Sequence, residues 1–148
     1  MGLLDQLNQE IKAAMFAKNA DRLGALRLLK SAIGYAQIER KNENLSDAEI
    51  VSIVQKEAKK RRDSIEQFEK GGRPELAARE KEELTILEAF LPKPLSTEEL
   101  QALVTAAIQE VGATSKKQMG LVVKAVQAKA AGRADGKTVS ELVGKLLP

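Results

Sequence analysis

The stretch LPKPLS, Leu91 to Ser96, decides how this chain divides. Pro92 and Pro94 lack the amide hydrogen that a helix interior needs, and each pushes its predecessor out of the helical region. We therefore read a border here, with one domain over 1–92 and a second over 93–148. Ser96 and Glu99 follow as an S-x-x-E capping box, the mark of a helix start. Leu100, Leu103, Val104, Ala107, Ile108 and Val111 continue at helical spacing, and Gly112 ends the run.

Working downstream, Ser115 and Gln118 read as another capping box, leading into Met119, Val122, Val123, Val126 and Ala130. The turn AAGRADGK comes next. Gly132 suits the left-handed conformation that ends a helix over 116–131, and Asp135 is placed to accept from the first amides of the last helix. Gly136 lets the backbone turn closely. That last helix buries Val139, Leu142, Val143, Leu146 and Leu147 at spacings of three and four. The second domain is expected to be a compact three-helix unit.

Working upstream, the first 92 residues predict long helices. Leu3, Leu4, Leu7, Ile11, Ala14 and Met15 mark the first, and Lys18–Asp21 is a break or kink. A long helix to about Lys41 carries Leu23, Leu26, Leu29, Ile33, Tyr35 and Ala36. Ser46 and Glu49 cap the next, which runs to Lys70, where Gly71–Gly72 stops it. Pro74 opens a fourth helix with Leu76, Leu84, Leu87 and Leu91. The expected fold is all-α: a long-helix hairpin or bundle, then the three-helix unit.

Composition removes several function classes. The 148 residues contain no Cys and no His, so they offer no thiol nucleophile, imidazole base or Cys/His metal site. Aromatic residues make up only 3%, too few for a base-stacking platform. No apolar run reaches membrane-spanning length, and the opening MGLLDQLNQEIKAAM lacks the pattern of a signal peptide. We expect a cytoplasmic protein with no cofactor and no metal. No Walker-type or dinucleotide-type glycine loop is present, since GRADGK has the wrong spacing. The Met and Phe residues read as core fillers.

Charge is more informative by position than by sum. Residues 1–92 hold 16 basic and 16 acidic side chains, so the whole excess of +3 lies after them. Between Ser115 and Lys145, seven basic residues face only Asp135 and Glu141. Such a surface favours a polyanion, and RNA is the common one. The helix end at the turn, with Arg133 and Lys137 beside it, reads as a phosphate site. The candidate nucleic-acid contacts are Lys116, Lys117, Lys124, Lys129, Arg133 and Lys137, with Gly132, Asp135 and Gly136 shaping the turn. The run Lys56, Lys59, Lys60, Arg61 and Arg62 reads as a solvated face paired with Glu66 and Glu69. Glu80, Glu82, Glu83 and Glu88 likewise read as solvated surface.

MGLVVKAVQAKAAGRADGKTVSELVGKLL, Met119 to Leu147, resembles the C-terminal signature of the GatB/YqeY family. LEAFLPKPLSTEELQALV, from Leu87, and VQKEAKKRRDSIEQFEKGGRPELAAREKEEL, from Val54, resemble the free-standing YqeY-like proteins of that family. The resemblance covers nearly the whole chain and implies the same two-part helical fold. It implies a relation to the tail of the GatB-type component of the glutamine-dependent amidotransferase that acts on Glu-tRNA(Gln) or Asp-tRNA(Asn). That tail contacts tRNA away from the chemistry, and the catalytic cradle lies in a domain this chain lacks. A tRNA-binding protein without catalysis of its own is the implied reading. Two alternatives stand beside it. One is an accessory to an amidotransferase, a carbon–nitrogen ligase using glutamine as amido donor, docked through the N-terminal helices. The other is a plain protein-interaction module. Gly144 departs from the family pattern, which often has a basic residue there.

Overall fold

The computed structural model describes residues 2–148. Among them the chain is all-α, with seven helices and no strand. Contacts divide it into two compact units between Leu91 and Pro92.

The first unit holds α1 (Leu3–Phe16), α2 (Ala20–Arg40), α3 (Asp47–Lys70) and α4 (Pro74–Glu88). Lys18 takes a left-handed conformation that ends α1, and the Asn19 side chain caps α2 through the Arg22 amide at 3.1 Å. The expected break at 18–21 falls on residues 17–19, and Ala20 and Asp21 already belong to α2. Asp47, at the start of α3, accepts from the Leu3 amide and so caps α1 from a distance. The Ser46/Glu49 capping box forms in both directions. After Lys70, Gly72 turns left-handed and Pro74 opens α4. Leu7, Leu26, Leu29, Ile33, Val54 and Leu87 form the fully buried centre.

The second unit holds α5 (Thr97–Val111), a single 3-10 turn (Lys116–Gln118), α6 (Met119–Ala130) and α7 (Gly136–Leu146). The Ser96/Glu99 box caps α5 in both directions. The core is valine-rich: Val104, Val122, Val126, Val139 and Val143 have no exposed surface. Two glycines of α7 show which residues of α6 it faces, at ordinary contact distance. A Cβ built on Gly136 would lie 3.5 Å from the Gln127 side chain, and one on Gly144 would lie 3.7 Å from Met119. The separation is eight residues on each helix, so α6 and α7 run antiparallel in register. Gly136, Ser140 and Gly144, four apart, mark the flank of α7 that faces α6.

Several expectations are corrected. Met15 is 52% exposed, Phe16 87% and Tyr35 75%, so none is a core filler, and Leu146 lies at the surface edge. The Ser115/Gln118 box does not form. Gln118 Oε1 instead accepts from the Thr114 amide at 2.7 Å, and a 3-10 turn precedes α6. Glu80 and Glu83 are not open surface. Arg61 is only 15% exposed, and its Nε lies 3.0 Å from Glu83 Oε2 and 3.5 Å from Glu80 Oε2. These contacts lack hydrogen-bond alignment, so the attraction is Coulombic. Arg61 thus ties α3 to α4 and leaves the solvated basic run. Glu66 pairs with Lys70 in its own helix, and Glu69 pairs with Lys81 of α4.

Candidate nucleic-acid interface

The turn between α6 and α7 is built by two successive left-handed residues. Ala131 is the residue that closes α6, at φ 49, and Gly132 follows at φ 88. The expected glycine is in place, but the cap itself falls one residue earlier, on an alanine. Left-handed backbone is free for glycine and costs about 1–2 kcal/mol for a residue with a Cβ. Asp135 Oδ1 accepts from the Thr138 amide at 2.8 Å, the expected cap. Gly136 is an ordinary first helical residue, and no close approach demands it.

Arg133 carries more structure than the sequence suggested. Its Nε donates to the Lys93 carbonyl at 2.8 Å, and its own carbonyl accepts from the Leu95 amide at 2.9 Å. Its Nη2 lies 3.7 Å from Glu99 Oε2. Arg133, expected only as a phosphate contact, therefore has a structural role as well. It ties the extended Lys93–Leu95 segment to the turn. Lys129 is also engaged, with Nζ 2.6 Å from Glu110 Oε1 of α5.

The other four candidates are open. Lys116 and Lys117 stand on the 3-10 turn, Lys124 on the outer face of α6, and Lys137 on the first turn of α7. All four are exposed, and none of their side chains has a hydrogen-bond or ion-pair partner among the described residues. Leu121, Lys124 and Ala128 of α6 fall at spacings of three and four and are all exposed, so they form one stripe, with exposed Lys117 on the 3-10 turn before it. Lys124 and Lys137 flank the Gln127–Gly136 contact, one from each helix. Lys145, exposed and unpaired on α7, was counted in the charge but missed as a contact. Leu121, 59% exposed among the lysines, falls off the core spacing of Val122, Val126 and Ala130, and the sequence reading did not single it out.

The electrostatics of the turn also change. The Asp135 carboxylate already holds one first-turn amide of α7, so any anion there meets a negative charge. The attraction comes from the lysine side chains. At the other end of the tie, hydrogen bonds from the Ser96 side chain and amide hold the Glu99 carboxyl below its ordinary range, and Arg133 and Lys93 add to the effect. Among the described residues no group of three or more acidic side chains is arranged to hold a metal ion.

Fold and surface together define a small all-α protein of two helical units, the second with an exposed basic face. The chain matches the Yqey-like protein family over residues 4–147 and belongs to that family. It is similar to the Altered inheritance of mitochondria protein 41, mitochondrial, of Eremothecium gossypii, 32% identical over 113 residues. That match covers 75% of this chain and 62% of the relative. The protein of the same name from Lachancea thermotolerans is 32% identical, over 71% of this chain and 57% of its own length. The one from Pyrenophora tritici-repentis is 27% identical across 98% of this chain and 81% of the relative. The chain thus spans about three fifths of the first two relatives. No described helix is long and apolar enough to cross a membrane.

Proposed function

We propose that this chain binds tRNA without catalysing a reaction on it, through the exposed lysines of its second unit. The observation that carries this is the split among the basic residues. Arg133 and Lys129 are taken up by Lys93, Glu99 and Glu110, whereas Lys116, Lys117, Lys124, Lys137 and Lys145 are left open to solvent. Unpaired, exposed lysines suit phosphate contacts, which fix position without reading bases. The lack of any aromatic side chain in residues 93–148 favours a folded RNA backbone over stacked single strands. The resemblance to the amidotransferase tail points to tRNA as the folded RNA. We place the function in the cytoplasm, while the names of the similar fungal proteins place those in the mitochondrion.

The test is tRNA binding across a salt series for the unaltered chain and for Lys117→Glu/Lys124→Glu/Lys137→Glu. Three or four phosphate contacts give a log–log salt slope of roughly −3. The triple variant should lose most of its affinity and flatten that slope while keeping its helical content. Salt-independent binding, or equal binding by the variant, sinks the reading. Co-purification with amidotransferase components in the absence of tRNA binding would move the function to the accessory role.

A further inference from the structure

The outward face of α2 is apolar where a solvated helix is expected to be polar. Gly24, Leu28, Ser31, Tyr35 and Ile38 succeed one another at spacings of four, three, four and three. This is the seam spacing of a helix that packs on another helix. The seam lies opposite the buried face of Leu26, Leu29, Ile33 and Ala36. Leu28 is 54% exposed, Tyr35 75% and Ile38 76%, and no charge interrupts them. Depletion of charge and an exposed Tyr are features of protein interfaces, so RNA is the wrong partner for this face.

We propose that a second copy of the chain covers this seam, with the two α2 helices antiparallel about a two-fold axis at Ser31. The pattern is self-complementary in that direction alone. Gly24 lies seven residues before Ser31 and Ile38 seven after, so each Ile38 meets the other copy's Gly24. Leu28 and Gly34, three residues to either side, share a layer in the same way. Tyr35 stands in that layer too, beside Arg27 of the other copy, in reach of a cation–π contact. Parallel pairing would instead set glycine on glycine and isoleucine on isoleucine, leaving voids beside clashes. Nothing lies within 4 Å of a Cβ built on Gly24 or Gly34, so both places are open to an incoming side chain. A groove of about 320 Å³ beside Gly24 gives Ile38 room; Leu28 and Ile86 of α4 line it together with the charged Asp21, Arg79, Glu82 and Glu83. The antiparallel helix dipoles also favour the pair.

The area sets the strength. Three large half-open side chains with their small neighbours offer roughly 500–600 Å² per copy, about the lower limit of a specific interface. The dimer is therefore weak and concentration-dependent.

Sedimentation equilibrium of the full chain, from about 10 µM to about 1 mM, should show the mass rising toward twice the monomer, and Ile38→Glu should hold it at the monomer. Because the chain has no cysteine, a Cys can be placed alone. Ser31→Cys should be linked into dimers by a short bismaleimide, whereas Ser52→Cys, exposed on α3, should not. Gly24→Cys chains mixed with Ile38→Cys chains should link to each other and not to themselves. A monomer throughout, or equal linking at positions 31 and 52, overturns the proposal and leaves the seam to another partner. Self-linking at position 24 overturns the antiparallel arrangement.

Discussion

Arg133 and Lys124 carry the same charge within ten residues of each other, and the structure uses them differently. Arg133 is bonded on both sides of its Cα to the Lys93–Leu95 segment, whereas Lys124 touches no partner. Removing Arg133 leaves a carbonyl and a carboxylate short of a donor, at a cost of about 1 kcal/mol for a half-exposed contact. We expect Arg133→Ala to speed amide hydrogen exchange at Val139–Val143, and Lys124→Ala to leave it unchanged within ~0.5 kcal/mol. Equal effects would mean that Arg133 is an ordinary surface cation. The neighbouring backbone gives a second expectation. Ala131 is left-handed without being glycine, so Ala131→Gly should stabilise the second unit by up to ~1 kcal/mol. Gly132→Ala, at φ 88, should destabilise it by about 1–2 kcal/mol. Denaturant melts followed by circular dichroism would read both, and the same sign for both would refute the assignment.

At the scale of the element, the capping boxes give a pH dependence. The Glu99 carboxyl is held below its ordinary range first by the Ser96 hydroxyl and then by the Ser96 amide. Its folded value lies below its unfolded one, so in the interval between them the unfolded chain binds more protons. The stability this adds is present above about pH 4.3 and is lost as pH falls through the folded value. Glu99→Gln keeps an acceptor for the Ser96 amide but cannot titrate. We expect the melting temperature of the variant to fall less steeply than that of the unaltered chain below about pH 4.5. Parallel acid limbs would count against the box as their source.

Helix packing adds an expectation at the same scale. Gly144 lies inside α7, where a Cβ would make ordinary contact with Met119. Gly144→Ala should therefore raise the melting temperature, by up to ~1 kcal/mol of added stability. A fall would show that α6 and α7 lie closer than 3.7 Å of clearance allows. The helices themselves were legible because their signals are local: S-x-x-E at Ser46 and Ser96, a glycine pair at Gly71, prolines at Pro92 and Pro94. The Ser115 box failed because Gln118 had a nearer amide to bond, that of Thr114, which spacing cannot reveal. The partners of Arg61 and Arg133 were invisible for a related reason. Glu80 and Glu83 lie 19 and 22 positions from Arg61, and Lys93 lies 40 before Arg133, so only the folded chain brings them together.

At the scale of the molecule, each unit has its own apolar centre, Leu26 and Leu29 in the first and Val122 and Val139 in the second. The proline stretch between them was readable from two residues. The border read there puts its second half in the C-terminal domain; what could not be read is that this half is bonded to the turn between α6 and α7. Leu95 donates to the turn and Lys93 accepts from it, so Lys93–Leu95 is a strap bonded to the turn before α7 and not a passive linker. A unit of fewer than 60 residues buries little surface and is marginally stable, so the loss of one strap is measurable. We expect a fragment over 92–148 to fold alone, with a cooperative loss of helical circular dichroism on heating. A fragment over 96–148 keeps all three helices and every open lysine but loses both strap bonds and the packing of Leu95 on the core. It should melt several degrees lower, since ~1 kcal/mol shifts a domain of this size by about 4–8 °C. Adding Arg133→Ala should then cost the longer fragment much and the shorter one little, because the strap it held is already gone. If the two fragments melt together, or the substitution costs both alike, the strap contributes nothing and Arg133 must act through Glu99 alone.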